Sequence, residues 1–397
     1  MNRVVVGLQW GDEGKGKVVT YLSRYHDIVA RFSGGANAGH TVNYGDFKVI
    51  HHLLPSADFT KNKGVAIGSG VLLDPQVLTE ELRELKEKFP DYSGEIFISE
   101  SAHVVLPVHK EMDRIIDEVL NIGTTKRGIG PACADRVMRV NVRVAELGNE
   151  EKLRYFLEKN LSLKKIYGVD FAAEKIMGDL STFYETIKNF VVSPVQLKRI
   201  LEGKSVLFEG TQGVLLDLDV GTYPYVTSMN CSSSGVSAGM GFPVEVDEVL
   251  GVFKVYTTRV GEGPFPTELT GEEGEKLREA GHEYGSTTGR PRRCGWLDLP
   301  LLRYAIEISG VDSLVMTKAD VLNGFEKIKV CVRYSDGRDL VSLRDLEKKE
   351  PVYKVFDGWK SLEDKNFERF VDFIERETGR PVKYISTGEK LEDIVEV

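Results

Sequence analysis

The stretch that most constrains this chain is VVVGLQWGDEGKGKVV, residues 4–19, an apolar β-branched run that breaks into a glycine-rich loop. A buried strand feeding such a loop and then a helix gathers main-chain N–H groups at a helix N-terminus, where they can hold phosphate. The loop fits the pattern G-x-x-x-x-G-K, with Gly11, Gly14 and Gly16 letting the backbone approach an anion and Lys17 adding a point charge. Two features break the pattern. Val18 stands where a Ser or Thr hydroxyl would meet Mg²⁺, and Asp12 and Glu13 place carboxylates in the cradle. Among N–H donors an ionised Asp12 is favoured, which suits a metal ligand or a general base, and capping of the following helix is the structural alternative.

Other short apolar runs, at 65–67, 96–99, 206–209, 249–256, 313–316, 328–332 and 382–385, predict further buried strands. Helical stripes alternate with them. Residues 75–89 open on a proline and repeat Leu78, Leu82, Leu85 and Phe89, residues 107–120 repeat the device, and Phe367, Phe370, Val371 and Ile374 form a third stripe closed by Gly379. The alternation predicts an α/β fold, a large, mostly parallel central sheet flanked by helices, with ligands at the carboxyl ends of the strands. With no repeat, low-complexity tract or Pro/Ser-rich linker, residues 1–397 are expected to form one domain with helical and loop insertions.

A net charge of −9 argues against a nonspecific nucleic-acid surface, so anionic ligands require locally concentrated cations. No apolar run reaches the roughly 18 residues of a membrane span, and the first residues lack a signal-peptide pattern, so the expected location is the cytoplasm. The four cysteines, Cys133, Cys231, Cys294 and Cys331, lie too far apart for a C-x-x-C site and are expected to be reduced.

The 40 glycines gather in loops that hold the remaining polar signals. FSGGANAGHTV, residues 32–42, offers Asn37 and His40 between glycines; in that setting His40 is read as functional, while His51 and His52 are read as strand-end residues. GTTKRGIGPACADRVMR, residues 123–139, combines hydroxyls with Lys126, Arg127 and Arg139, a combination suited to phosphate. Gln212 sits between glycines after the run 206–209, with Thr227 further on. GSTTGRPRRCGWLD, residues 285–298, places Arg290, Arg292 and Arg293 after Thr287, Thr288 and Gly289, which points to a carboxylate or polyanion ligand. In TKAD, the carboxylate of Asp320 could accept from guanine N1–H and its exocyclic amine while the Lys318 stem covers the ring, which favours GTP over ATP.

Taken together, WGDEGKGK, GGANAGHTV, TTKRGIGPA, EGTQGVLLDLDVGTYPYVTS, TTGRPRRCGWLD and TKADVL resemble, in order and over nearly the whole chain, the adenylosuccinate synthetases. The resemblance implies a P-loop-NTPase-like fold and GTP-dependent joining of IMP to L-aspartate through 6-phosphoryl-IMP, with GDP and phosphate released. It implies that Asp12 is the base for the IMP N1 proton, that His40 is the acid at the transferring phosphoryl group, and that Gln212 is a third catalytic residue. One Mg²⁺ per subunit would be held by Asp12 and Gly39. The IMP positions would be Asp12, Glu13, Gly14, Lys15, Asn37, Ala38, Gly39, His40, Thr125, Gln212, Thr227 and Arg290. Arg139 would reach IMP from the second subunit of a homodimer. GTP would meet Gly11, Asp12, Glu13, Gly14, Lys15, Gly16, Lys17, Gly39, His40, Thr41, Arg292, Lys318, Ala319, Asp320, Ser386, Thr387 and Gly388. Aspartate would meet Ser286, Thr287, Thr288, Gly289, Arg290, Pro291 and Arg292. The chain departs from the family pattern at Cys133, where Tyr is usual, and at Glu389, directly after the Ser386–Gly388 contact, where Pro is usual.

Without the resemblance, two other readings remain: a P-loop NTPase of different chemistry, which leaves the arginine cluster and Gln212 without a role, and a guanine-nucleotide switch, which would need neither IMP nor aspartate.

Overall fold

In the computed structural model, which describes all residues except 45–46, 121–122, 286–288 and 290, the N-terminal apolar run becomes the strand Arg3–Gly7 inside a 10-stranded sheet. From one edge the strands run Ile394–Glu396, Val382–Ser386, Ser313–Thr317, Glu248–Lys254, Arg3–Gly7, Val206–Glu209, Ile28–Arg31, Gly64–Ile67, Ile96–Ser99 and Val191–Val192. Every neighbouring pair is parallel except the antiparallel edge pair Val382–Ser386 with Ile394–Glu396. The expected α/β architecture is therefore the observed one.

The central strands are mostly apolar because both faces are covered. Val5, Val29, Val65, Leu207 and Leu250 enter one core, while Val4, Val6, Ile28, Ala30, Ala66 and Phe208 enter the other. Side chains alternate across a pleated strand, so two buried faces require a continuous hydrophobic run. The leucine-striped helix Pro75–Lys88 packs Leu78, Leu82 and Leu85 into the first core, and its start is capped by Asp74. Helix Lys365–Thr378 packs Phe367, Phe370, Phe373 and Ile374 into the second and ends at Gly379, whose φ of 65° an L side chain rarely adopts.

One expectation about strands needs correction. The run 249–256 is not one strand: the large sheet keeps Glu248–Lys254, and after Val255 the chain enters a separate four-stranded sheet as Tyr256–Arg259. That second sheet continues with Arg293–Asp298, Lys327–Tyr334 and Pro351–Asp357, so the predicted strand at 328–332 belongs to it rather than to the main sheet. Strand Ile28–Arg31 was not predicted at all. It is only four residues long and ends in an arginine, yet it is wholly buried, with Arg31 Nη1 bonded to the His52 carbonyl.

Parallel pairing brings the carboxyl ends of Arg3–Gly7, Ile28–Arg31, Val206–Glu209, Ser313–Thr317 and Val382–Ser386 to one edge. The loops that follow them carry most of the motifs singled out above.

Candidate active site

The first loop folds by alternation. Asp12 and Gly14 are exposed while Glu13 and Lys15 are buried. Glu13 turns its carboxylate inward, accepting from Gln9 N and Gly11 N and pairing with Lys15 Nζ at 2.6 Å. The carboxylate that looked misplaced in a phosphate cradle therefore braces the loop from behind, leaving main-chain groups to face outward. Helix Lys15–Ser23 begins after Gly14, whose φ is 85°, and no side chain caps its first turn, so its N-terminal dipole faces the same edge. Val18 lies in the core, which explains why no hydroxyl stands there.

Asp12 is the outward member, held at φ 61°. Its carboxylate lies 2.8 Å from Arg292 Nε and remains 37% exposed. Arg292 is held from behind by Glu283, 2.7 Å from Nη1, and Glu283 also binds Lys254 and the Tyr256 hydroxyl. Burial alone would raise the Glu283 carboxyl, but Lys254 and Arg292 hold it down at about 2.

The second loop lies directly against the first. A Cβ added to Gly16 would stand 2.6 Å from that of His40, so only glycine permits this approach. His40 begins a hairpin, His40–Asn43 with Lys48–His51, and Thr41 is exposed on it. His40 Nδ1 contacts the buried carboxylate of Glu209, which also accepts from Ser56 N at 2.9 Å and Ser56 Oγ at 2.7 Å.

Four polar atoms at this edge are buried without a hydrogen-bond partner: Asn37 Oδ1, Gln212 Nε2, Asp320 Oδ1 and Arg292 Nε, the last an ion-pair neighbour of Asp12 without hydrogen-bond geometry. Buried polar groups are normally paired, and orphans at predicted ligand positions are what a binding surface requires. Gln212 (φ 51°) and Lys318 (φ 60°) share the left-handed backbone of Asp12, and strain of this kind gathers at functional loops. The Gln212 loop is pressed onto the first, since a Cβ on Gly213 would meet the Gln9 carbonyl at 2.1 Å. Thr317 ties the TKAD segment to the same loop by donating to the Glu13 carbonyl at 2.7 Å, and Ala319 is fixed through its carbonyl by Trp359 Nε1.

Lys17 does not point along the cradle. Its ammonium donates to Ser386 Oγ and the Gly388 carbonyl, both at 2.9 Å, and burial lowers it to about 8. It joins the first loop to residues 386–388, where Thr387 N donates to the Asp393 carbonyl. Glu389, the departure from the family pattern, pairs with Lys48 of the hairpin at 2.9 Å.

The arginines separate. Arg293 turns away to Glu268 and to the carbonyls of Gly261 and Gly263, a structural role, whereas Arg292 faces Asp12. Arg290 and the expected aspartate residues Ser286, Thr287 and Thr288 lie outside the described residues; Gly289 and Pro291 beside them are exposed. Thr125 and Arg139 are also exposed, Arg139 with φ 65° at the end of helix Ile129–Met138. Thr227 is half-buried, its N–H bonded to Leu216.

Sequence reasoning missed Glu209, Glu283 and Ser56. Glu209 ends a predicted strand, and its signal was a charged residue closing an otherwise apolar run just before the Gln212 loop. Glu283 and Ser56 left no comparable trace.

The family model of adenylosuccinate synthetase matches residues 4–395. An adenylosuccinate synthetase of Thermotoga maritima is 97% identical over the full length of both chains, and one of Thermosipho africanus is 51% identical, again over both chains entirely. Among solved structures, the fully ligated adenylosuccinate synthetase of Plasmodium falciparum superposes with a TM-score of 0.93 at 36% identity, covering 100% of this chain and 99% of that one.

Proposed function

Given that the chain belongs to the adenylosuccinate synthetase family, we propose that the loops at the carboxyl edge of its sheet divide the work of that reaction among the residues described above. The activity is GTP-dependent ligation of IMP and L-aspartate to adenylosuccinate, with release of GDP and phosphate, in the synthesis of AMP from IMP. The observation that carries the division is the convergence of Asp12, His40 and Gln212 on one edge, with unpaired buried atoms at Asn37, Gln212 and Asp320.

In this reading the outward carboxylate of Asp12 takes the N1 proton of IMP, and O6 attacks the γ-phosphorus of GTP as the bond to GDP breaks. His40 donates toward the charge on the transferring group. The aspartate amine then adds at C6, loses a proton, and phosphate leaves. Such a transfer depends on positioning and charge neutralisation. Main-chain groups of residues 11–17 and 39–41 surround the GTP phosphates, and Arg292 shifts from Asp12 to the ligands. Asp320 reads the guanine donors with Lys318, Ala319 and residues 386–388 around the ring. Asn37, Gln212, Thr125, Thr227 and Arg290 orient IMP, and residues 286–292 receive aspartate.

The donor set suits Mg²⁺. Asp12 supplies one hard carboxylate that is more than a third exposed, and no group of three acidic, His or Cys side chains cages an ion among the described residues. Mg²⁺ typically takes one or two carboxylates and completes its shell with phosphate oxygens and water. Asp12 and the Gly39 carbonyl would hold it, and it would neutralise charge on the β- and γ-phosphates.

We further read the chain as one catalytic unit that works as a homodimer, with Arg139 crossing to the partner's IMP. Its exposed, left-handed position beside exposed Val137 and Met138 supports this. A cytoplasmic location fits its unpaired cysteines and the absence, among the described residues, of a helix long and apolar enough to cross a membrane.

An omission assay tests the reading. Nucleotide absorbance is followed with IMP, GTP, Mg²⁺ and aspartate, each left out in turn. Turnover should require all of them, and GTP hydrolysis indifferent to IMP would overturn it.

A further inference from the structure

Glu209 is a fully buried carboxylate at the end of a central strand, and three hydrogen-bonding groups converge on it, with Arg31 near enough to act on its charge. His40 Nδ1 contacts Oε1, Ser56 Oγ donates to Oε1 at 2.7 Å, Ser56 N donates to Oε2 at 2.9 Å, and Arg31 is its register partner on the adjacent parallel strand. Burial alone would raise the carboxyl, but His40, Arg31 and Ser56 hold it at about 2, so it is an anion at every working pH. A carboxylate can only accept. The Nδ1 facing it therefore carries a proton and donates, which leaves Nε2 as the nitrogen turned to the ligand side.

We infer that Glu209 is a positioning residue for the ligation: by accepting from Nδ1–H it orients the His40 ring and balances the charge of the doubly protonated ring, the form in which Nε2–H can donate toward the transferring phosphoryl group. The inference rests on the reading of His40 as the acid. It goes beyond charge balance for Arg31, because a carboxylate present only to neutralise Arg31 would not need the His40 ring or both donors of Ser56. His40 is itself clamped between this carboxylate and Gly16, which leaves the ring little freedom to turn. His51, His52 and Glu81 border the same pocket, and Glu81 is occupied in accepting from the main-chain N–H groups of residues 52–54.

The test combines a spectroscopic and a kinetic measurement on the full chain. With ¹⁵N-labelled histidines assigned through His40→Asn, the wild-type His40 should show a protonated Nδ1; a bare Nδ1 would overturn the inference without any variant at position 209. In Glu209→Gln, checked for folding by thermal melting, the preference for a protonated Nδ1 should weaken, because an amide can donate to that nitrogen as well as accept from it. Its kcat should fall roughly 10²- to 10⁴-fold, the range for a misplaced acid or base, with KM for IMP and GTP within about threefold. His40→Asn combined with Glu209→Gln should be no slower than His40→Asn alone, because both remove one function. Multiplying losses, or an active Glu209→Gln beside an inactive His40→Asn, would overturn the role of Glu209. Full activity in His40→Asn would instead overturn the reading of His40 on which this inference stands.

Discussion

The carboxylates of Asp12 and Glu13 are neighbours in sequence with opposite surroundings, and substitution should separate them. Asp12→Asn removes an ion pair whose carboxylate is 37% exposed and whose arginine keeps Glu283, a screened contribution of about 1 kcal/mol, so the unfolding midpoint should scarcely move while kcat falls by roughly 10³-fold or more. Calorimetry beside steady-state kinetics would check both; substantial residual turnover would remove Asp12 from the role of base. Glu13→Gln should do the reverse in stability, costing about 3–5 kcal/mol in denaturant unfolding, because it strands Lys15 in a buried site. From sequence, both residues simply put charge in a loop. Only burial distinguishes them, and burial is set by φ at Asp12 and by Gly7, where a Cβ would stand 2.3 Å from the Glu13 carboxylate.

At the scale of elements, helix Lys15–Ser23 and the hairpin from His40 meet through a glycine. Gly16→Ala places a methyl 2.6 Å from the His40 Cβ, so one element must retreat. The expected cost is about 1–3 kcal/mol in unfolding, with kcat reduced because the displaced group is His40. A variant with wild-type kcat would show that the contact is not needed for turnover. The long elements were legible because periodicity speaks for them: helix Pro107–Leu120 falls within the predicted bounds, and Pro75–Lys88 stops one residue short of them. What escaped was set by tertiary context. Strand Ile28–Arg31 is stabilised by neighbours on both sides and by the hydrogen bond from its arginine to the His52 carbonyl, none of which a four-residue window contains. The break after Lys254 is invisible for the same reason, since Val255 and Tyr256 are as apolar and β-prone as the strand before them. The site motifs were legible because their glycines mark where backbones must approach. The carboxylates behind them, Glu209 and Glu283, were not, because a buried ion's partner lies far away in sequence.

For the whole molecule, Lys254, Tyr256, Glu283 and Arg292 form the joint between the two sheets and the site. Glu283 titrates at about 2 folded against an ordinary 4.5, so its contribution is present above about pH 4.5 and disappears as pH falls through 2. Denaturant unfolding across that window should lose stability on the order of 3 kcal/mol from this group, and Glu283→Gln should be weaker at neutral pH with a flatter acid limb. Asp298 acts with the opposite sign: burial raises it to about 7, so it weakens the fold as pH rises from 4 toward 7. If Arg139 acts across a dimer, mixing inactive Asp12→Asn with inactive Arg139→Ala should restore activity, through one intact site per mixed pair. Failure after verified subunit exchange would place Arg139 outside the partner's site.

The order of strands in the large sheet also bears on how the protein comes into being on the ribosome. Arg3–Gly7 is made before both of its neighbours, Val206–Glu209 and Glu248–Lys254, and the ammonium that follows it, on Lys17, closes on Ser386 and Gly388. It must wait for partners more than two hundred residues away, the sort of long-range pairing that slows folding. The contacts that close the first loop are thus completed only once residues 386–388 have been made.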